Sequence, residues 1–190
     1  MNILVCGYGN IGHHIEEEFK SKNNLIIFDK YKEEYSNEEL LKDYYNAAFV
    51  AVPTEMREDG SVNTDEIFDI VPKINAKVII IRSAIPVGTC DKLALKNVVV
   101  APECYGTTQH SLDMPDFAVF GSNYQETIDD AVEVYQTVKN AAFKFCFVDW
   151  KTAELSKYME NCWLALKVTF CNEFASIAEK YGISYNNLRT

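Results

Sequence analysis

The chain has 190 residues, 48% of them hydrophobic, and a formal net charge of −10. That hydrophobic share supplies the core of one large domain, or of one domain with an appendage, and excludes a disordered chain. The acidic balance is spread along the sequence and argues against nucleic acid or an anionic membrane as partner, and no apolar run approaches the ~20 residues of a membrane span.

Met1 leads straight into apolar residues with no basic leader before them, so a cytoplasmic protein is expected. The six cysteines form no Cys-x-x-Cys pair. Cys6 and Cys146 lie in strand-like runs and read as small buried thiols, and neither a disulfide nor a metal site is expected.

Ile3 to Cys6 is a short apolar run of the kind a doubly wound parallel sheet buries on both faces. It passes directly into Gly7-Tyr8-Gly9-Asn10-Ile11-Gly12, a G-x-G-x-x-G pattern. Ile11, Ile15 and Phe19 then recur every four residues among charged ones, so the glycines open an amphipathic helix. Leu25 to Phe28 is a second strand and ends in Asp29. Each part has a mechanical reason: Gly7 permits the tight turn, Gly9 lets backbone approach a pyrophosphate, and Gly12 lets helix and strand pack closely. The start of the helix offers free N–H groups to phosphates. Asp29, at the end of the second strand, suits the adenosine ribose hydroxyls and repels a 2′-phosphate, so NAD is expected over NADP. A dinucleotide is compatible with an acidic chain because backbone amides, not lysines, hold its phosphates.

From Lys30 to Asn46 the sequence is polar and tyrosine-rich, with one short helix expected around Leu40 and Leu41. Ala47 to Val52 reads as the third strand, stopped by Pro53-Thr54, and Glu55 to Asn63 as a surface loop. A helix is predicted from Thr64 as N-cap, with Ile67, Ile70 and Val71 facing the sheet. Lys77 to Ile81 is the fourth strand, followed by Arg82 to Thr89 and a short helix to about Lys96. Val98 to Ala101 is the fifth strand and ends at Pro102-Glu103. Phe117 to Phe120 reads as a sixth strand, Glu126 to Val138 as a helix and Phe143 to Val148 as a last strand. The alternation predicts an α/β fold: a Rossmann-type, doubly wound, mostly parallel sheet followed by a long α-helix.

That helix is predicted over Trp150 to Tyr181, a span without Gly or Pro, roughly 45 Å at 1.5 Å per residue and stopped by Gly182. Its middle, Cys162 to Cys171, is apolar nearly all round, so one side is expected on the nucleotide-binding part and another on further protein, most simply the same helix of a second copy. The expected division is a nucleotide-binding domain over 1–149 and the start of a dimerisation domain over 150–190.

Ligands of open α/β sheets bind beyond the carboxyl ends of the strands, which singles out Pro53-Thr54, Ser83-Ala84 and Pro102-Glu103. Lys157 and Asn161 stand i, i+4 on one side of the long helix. Beside a carboxylate such as Glu103 and over a nicotinamide, a lysine can steady a developing alkoxide or take its proton, and an asparagine can hold a sugar hydroxyl. Taken alone, such a Lys-x-x-x-Asn pair reads more readily as a solvated helix face.

Taken together, GYGNIG, VAVPT, IIIRSAIPVGT, APE and AELSKYMENCWLALKVTFCNEFASIAEKYGI resemble the UDP-glucose/GDP-mannose dehydrogenase family over essentially the whole chain. The resemblance implies NAD-dependent oxidation of a nucleotide-sugar primary alcohol toward the acid, through a thiohemiacetal on a cysteine, in a homodimer formed through the 150–181 helix. It implies that Gly7, Tyr8, Gly9, Asn10, Ile11, Gly12, Asp29, Val52, Pro53, Thr54 and Ser83 hold NAD, and that Glu103, Lys157 and Asn161 serve the sugar. Ala84 stands where the family has threonine, and Thr107 where it has a second glutamate. The glycine-rich segment with the nucleophilic cysteine is not among these 190 residues, and Cys104 reads as an idle thiol. The expectation is therefore an oxidation left incomplete or impaired in this chain. The alternatives are a catalytically silent NAD-binding and oligomerisation module, or an enzyme like the β-hydroxyacid dehydrogenases, which also place a lysine and an asparagine four apart on the helix after the nucleotide domain.

Overall fold

The computed structural model describes residues 1–102 and 117–189. The chain divides into two compact units, Met1–Leu155 and Ser156–Thr190.

Among the described residues the first unit carries one seven-stranded sheet. Its strands are β1 (Asn2–Cys6), β2 (Asn24–Phe28), β3 (Tyr45–Val50), β4 (Ala76–Ile81), β5 (Val98–Val100), β6 (Phe117–Gly121) and β7 (Lys144–Val148). They lie in the order β2-β1-β3-β4-β5-β6-β7. β1 to β5 are parallel, as the β-branched, doubly buried runs predict. β6 runs antiparallel to β5, meeting it through Val100 and Gly121, and β7 runs parallel to β6.

Side chains alternate across β1. Ile3 and Val5 join Ile15 and Phe19 of α1 (Asn10–Phe19) and Ala131, Val134 and Tyr135 of α4 (Gln125–Gln136) on one face. Leu4 and Cys6 join Ile67 and Ile70 of α2 (Asp65–Ile70), Leu93 of α3 (Thr89–Leu93) and Trp150 and Ala153 of α5 (Trp150–Lys180) on the other. The two layers leave every β1 residue from Ile3 to Cys6 fully buried.

Two local readings need correction, and a third is refined. Between β2 and β3 the short helix expected around Leu40 and Leu41 is a 3₁₀ turn, Glu38–Lys42, preceded by another, Glu33–Tyr35. This stretch has no repeating apolar face to drive a full helix, and Leu41 alone plugs the core while the Tyr45 hydroxyl donates to the Leu40 carbonyl at 2.8 Å. At the start of α2 the Thr64 side chain caps nothing. The Asn63 side-chain oxygen Oδ1 accepts from the Asp65 N–H at 3.0 Å instead, an Asx turn one residue earlier. Cys146 is exposed, because β7 is the sheet edge.

Asp149 caps α5: its carboxylate accepts from the Thr152 N–H at 2.9 Å and the Thr152 hydroxyl at 2.7 Å. The Trp150 indole N–H donates to the Val98 carbonyl at 2.9 Å and pins the first turn to β5.

The second unit consists of the rest of α5 and a short helix α6 (Tyr185–Leu188). Gly182, at φ +68°, stops α5 as expected, and the Ile183 N–H closes on the Ala178 carbonyl at 2.9 Å. Trp163, Leu164, Leu166, Val168, Phe170 and Phe174 are all exposed. Among the described residues no helix is long and apolar enough to cross a membrane.

Candidate functional site

The order of strands reverses between β1 and β3, since the chain leaves β1 toward β2 on one side and returns on the other. The loops that follow these strands part at that point and leave a crevice. Four of the sequence-predicted segments meet there by position in the sheet: Gly7 to Gly12 after β1, Asp29 after β2, Val52 to Thr54 after β3 and Ser83 after β4.

The glycines differ in what they do. Gly7 has φ +88°, and a Cβ there would stand 2.5 Å from the Ala51 carbonyl oxygen of the β3 loop. At Gly12 a Cβ would come 2.2 Å from the Gly7 carbonyl oxygen, so the first turn of α1 lies directly on the loop. At Gly9 a Cβ would meet nothing within 4 Å. Neither fold nor neighbour demands glycine at position 9, and the space beside it is what a group approaching the backbone would use. α1 begins at the next residue with no side-chain cap and no acid in its first turn, so its N–H groups and positive dipole end are left for an anion.

Asp29 is held by backbone. Its carboxylate accepts from the Tyr8 N–H at 2.8 Å and the Tyr31 N–H at 2.9 Å, one bond from the glycine loop and one from its own turn. Lys32 reaches back to the Tyr8 carbonyl at 2.5 Å and lies over the Tyr8 ring, 4.9 Å from its centroid. The Tyr8 ring packs against His13 and Tyr35 with centroids 3.9 and 5.1 Å away, and its phenol donates to Glu16. That hydrogen bond, with burial and the Glu16 charge behind it, pushes the phenol up to about 12.

Beyond Asp29 a cleft is lined by Gly7, Phe28, Lys30, Tyr31, Val52, Pro53, Glu66 and Ile70. Glu66 draws in Lys30, with Nζ to Oε1 at 3.2 Å, and accepts from the Tyr31 hydroxyl. On the other side of the crevice the hydroxyls of two predicted residues tie strand ends together. Ser83 donates to the Val52 carbonyl at 2.6 Å and Thr54 to the Ala84 carbonyl at 2.8 Å.

Sequence reasoning missed Lys30, Lys32, Glu66 and Glu154. The first three adjoin or face segments it singled out, and a residue directly after the strand-end acid carries some signal; Glu66 carries none beyond its place in the first turn of a helix. Glu154 is 1% exposed, and its two carboxylate oxygens accept from the Gly88 N–H at 2.6 Å and the Cys90 N–H at 2.9 Å. It thereby locks the loop after β4 to the first turns of α5. Cys90 and Cys6 are buried, which pushes their thiols above the ordinary range and keeps them from acting as nucleophiles.

Glu103 lies outside the described residues, as do Cys104 and Thr107. Lys157 and Asn161 belong to the second unit, where the Lys157 ammonium pairs with Glu160 at 2.7 Å and Asn161 is exposed. Among the described residues no three His, Cys, Asp or Glu side chains gather as metal ligands would.

Residues 151–190 match the central domain of the UDP-glucose/GDP-mannose dehydrogenase family. The UDP-glucose 6-dehydrogenase of Rickettsia bellii is 30% identical over 235 residues, covering 99% of this chain and 54% of the relative. That of Rickettsia prowazekii is 30% identical over 221 residues, covering 97% and 50%. The chain thus spans about half the length of these curated relatives. Among solved structures, a GDP-mannose dehydrogenase from Pseudomonas aeruginosa superposes with a TM-score of 0.85 at 19% identity, covering 100% of this chain and 56% of that one. A UDP-D-ManNAc dehydrogenase from Pyrococcus horikoshii superposes with a TM-score of 0.80 at 21% identity, covering 99% and 56%. The chain is thus similar to the UDP-glucose/GDP-mannose dehydrogenase family: its residues 151–190 match that family's central domain, and nearly its whole length aligns with half of a UDP-glucose 6-dehydrogenase.

Proposed function

We propose that this chain is the NAD-binding half of a nucleotide-sugar dehydrogenase, acting on a sugar primary alcohol. The observation that carries the reading is the division of labour among Gly7, Gly9 and Gly12. Two are required by the fold, while the open third faces an uncapped helix start beside a strand-end carboxylate. NAD would lie across the switch point, its pyrophosphate over Gly9 and the N–H groups of Asn10, Ile11 and Gly12. Asp29 would take the ribose hydroxyls with the lone pairs left by Tyr8 and Tyr31. Val52, Pro53, Thr54 and Ser83 would border the nicotinamide, which when bound supplies the hydride acceptor.

Glu103, Lys157 and Asn161 are assigned to the sugar. In that role Lys157 stabilises the alkoxide or receives its proton, and Asn161 fixes a neighbouring hydroxyl. The working division is 1–149 for the nucleotide and 150–190 for the start of a dimerisation domain. The exposed Trp163, Leu166 and Phe170 form an apolar face that a second copy would close by two-fold pairing. A cytoplasmic location fits a reaction that consumes NAD and nucleotide sugars.

One observation favours a second reading, a silent NAD-binding module. Position 84 offers only a methyl group, and its carbonyl is already taken by Thr54, so the hydroxyl that the family's pattern places there is lacking. Two measurements separate the readings. Titration with NAD under intrinsic fluorescence tests the shared cofactor site. Absorbance of the reduced cofactor with a panel of UDP- and GDP-sugars, measured on the chain extended to its natural stop codon, tests turnover. Binding with no turnover for any sugar favours the silent module; no binding refutes both.

A further inference from the structure

Lys30 directly follows the acid that sets ribose recognition, and its ammonium is engaged by Glu66 from α2, Nζ to Oε1 at 3.2 Å. The Tyr31 hydroxyl donates to the same Glu66 oxygen, so β2's exit and α2's first turn are tied by one carboxylate. The Glu66 side chain is only 13% exposed, and it lines the cleft beyond Asp29 together with Lys30 and Tyr31. A cation beside the strand-end acid is the group that elsewhere accommodates a 2′-phosphate. Here that cation is present but occupied.

We infer that Glu66 is a cofactor-specificity residue: it withholds Lys30 from a 2′-phosphate and sets a second carboxylate beside Asp29 at the ribose end of the cleft. The inference rests on the NAD-binding reading above and adds to it. Asp29 by itself discriminates through one charge, and its lone pairs are partly spent on the Tyr8 and Tyr31 N–H groups. Glu66 removes the compensation that Lys30 would otherwise provide. The Lys30 ammonium is held above the ordinary lysine range chiefly by its hydrogen bond to Glu66; without that partner it returns toward the ordinary range, still charged at neutral pH and now available. A merely structural tie would behave differently, since breaking it would weaken NAD and NADP together and leave their ratio alone.

The test uses the 190-residue chain and dissociation constants for NAD and NADP from intrinsic fluorescence, with melting temperatures recorded beside them. Glu66→Gln keeps the shape and removes the charge. It should improve NADP binding relative to NAD roughly tenfold, the effect of one unit charge in a half-covered site. Adding Lys30→Ala to that variant should remove the gain. A NAD-to-NADP ratio unchanged in Glu66→Gln overturns the inference while leaving NAD binding intact. Wild-type protein that binds neither cofactor overturns both this and the functional reading. If Glu66→Gln does not fold, Lys30→Ala alone decides: an unchanged ratio is expected from an ammonium already sequestered, and selective loss of NADP binding would overturn the inference.

Discussion

The sharpest test of the crevice is a single methyl group at Gly9. An added Cβ meets nothing within 4 Å, and the residue sits at φ −85°, ψ −157°, extended backbone open to any L residue. Gly9→Ala should therefore leave the fold alone or stabilise it by about 0.4–1 kcal/mol through a stiffer unfolded chain. For a unit of this size that is a rise of roughly 1–4 °C in Tm. The same methyl fills the space assigned to the pyrophosphate, so NAD affinity should fall at least about tenfold, a clash worth roughly 1.4 kcal/mol or more. Gly12→Ala is the matched control. Its Cβ would lie 2.2 Å from the Gly7 carbonyl oxygen, so α1 must shift and Tm should drop by several degrees before any ligand is added. Thermal unfolding with and without NAD reads both effects at once. Wild-type NAD affinity in Gly9→Ala would refute the placement of the pyrophosphate, whatever the overall function.

Four further outcomes follow from the geometry. Glu154→Ala leaves the Gly88 and Cys90 N–H groups without their buried acceptor and should cost about 2–4 kcal/mol by denaturant unfolding, with Glu154→Gln recovering part; a loss below about 0.5 kcal/mol would show the lock to be idle. Asp149's carboxyl is held below the ordinary range by the Thr152 hydroxyl and N–H. The cap therefore contributes above that range and fades as pH falls through the depressed value, so wild type and Asp149→Ala should converge in stability in acid and differ at neutral pH. The Tyr8 phenol, pushed up to about 12 by Glu16, keeps its share of stability below the ordinary tyrosine value of about 10 and loses it as pH climbs toward 12; ultraviolet titration should show one late tyrosine that vanishes in Tyr8→Phe. Sedimentation at micromolar concentration should give a dimer, and Leu166→Lys with Phe170→Lys a monomer; a monomeric wild type would refute two-fold pairing through α5.

The three glycines and Asp29 were legible because each depends on its immediate neighbours: a turn needing φ +88°, a helix start and an acid at a strand end are written within a few residues. The long helix was legible for the same reason, with a run free of Gly and Pro ending at Gly182. The N-cap position of α2, Thr64, was legible, but the side chain that bonds there was not, because Asn63 and Thr64 are both good caps and only the backbone path decides which oxygen faces the Asp65 N–H. Cys146 read as buried because an apolar strand looks the same at a sheet's centre and at its edge.

By itself, then, the sequence determined the alternation of strands and helices, the glycine turn after β1 and the acid at the end of β2. Those features follow from side-chain period and backbone stereochemistry, which act over one or two turns. Only the tertiary structure decided that β6 reverses direction, since an apolar run carries no sign of its polarity. It alone decided that Glu66 takes Lys30 and that Glu154 reaches across 64 and 66 residues of chain to Cys90 and Gly88. Such pairings arise when two packed layers bring together groups whose own sequence neighbourhoods say nothing of each other, and burial then makes each polar group take the partner within reach.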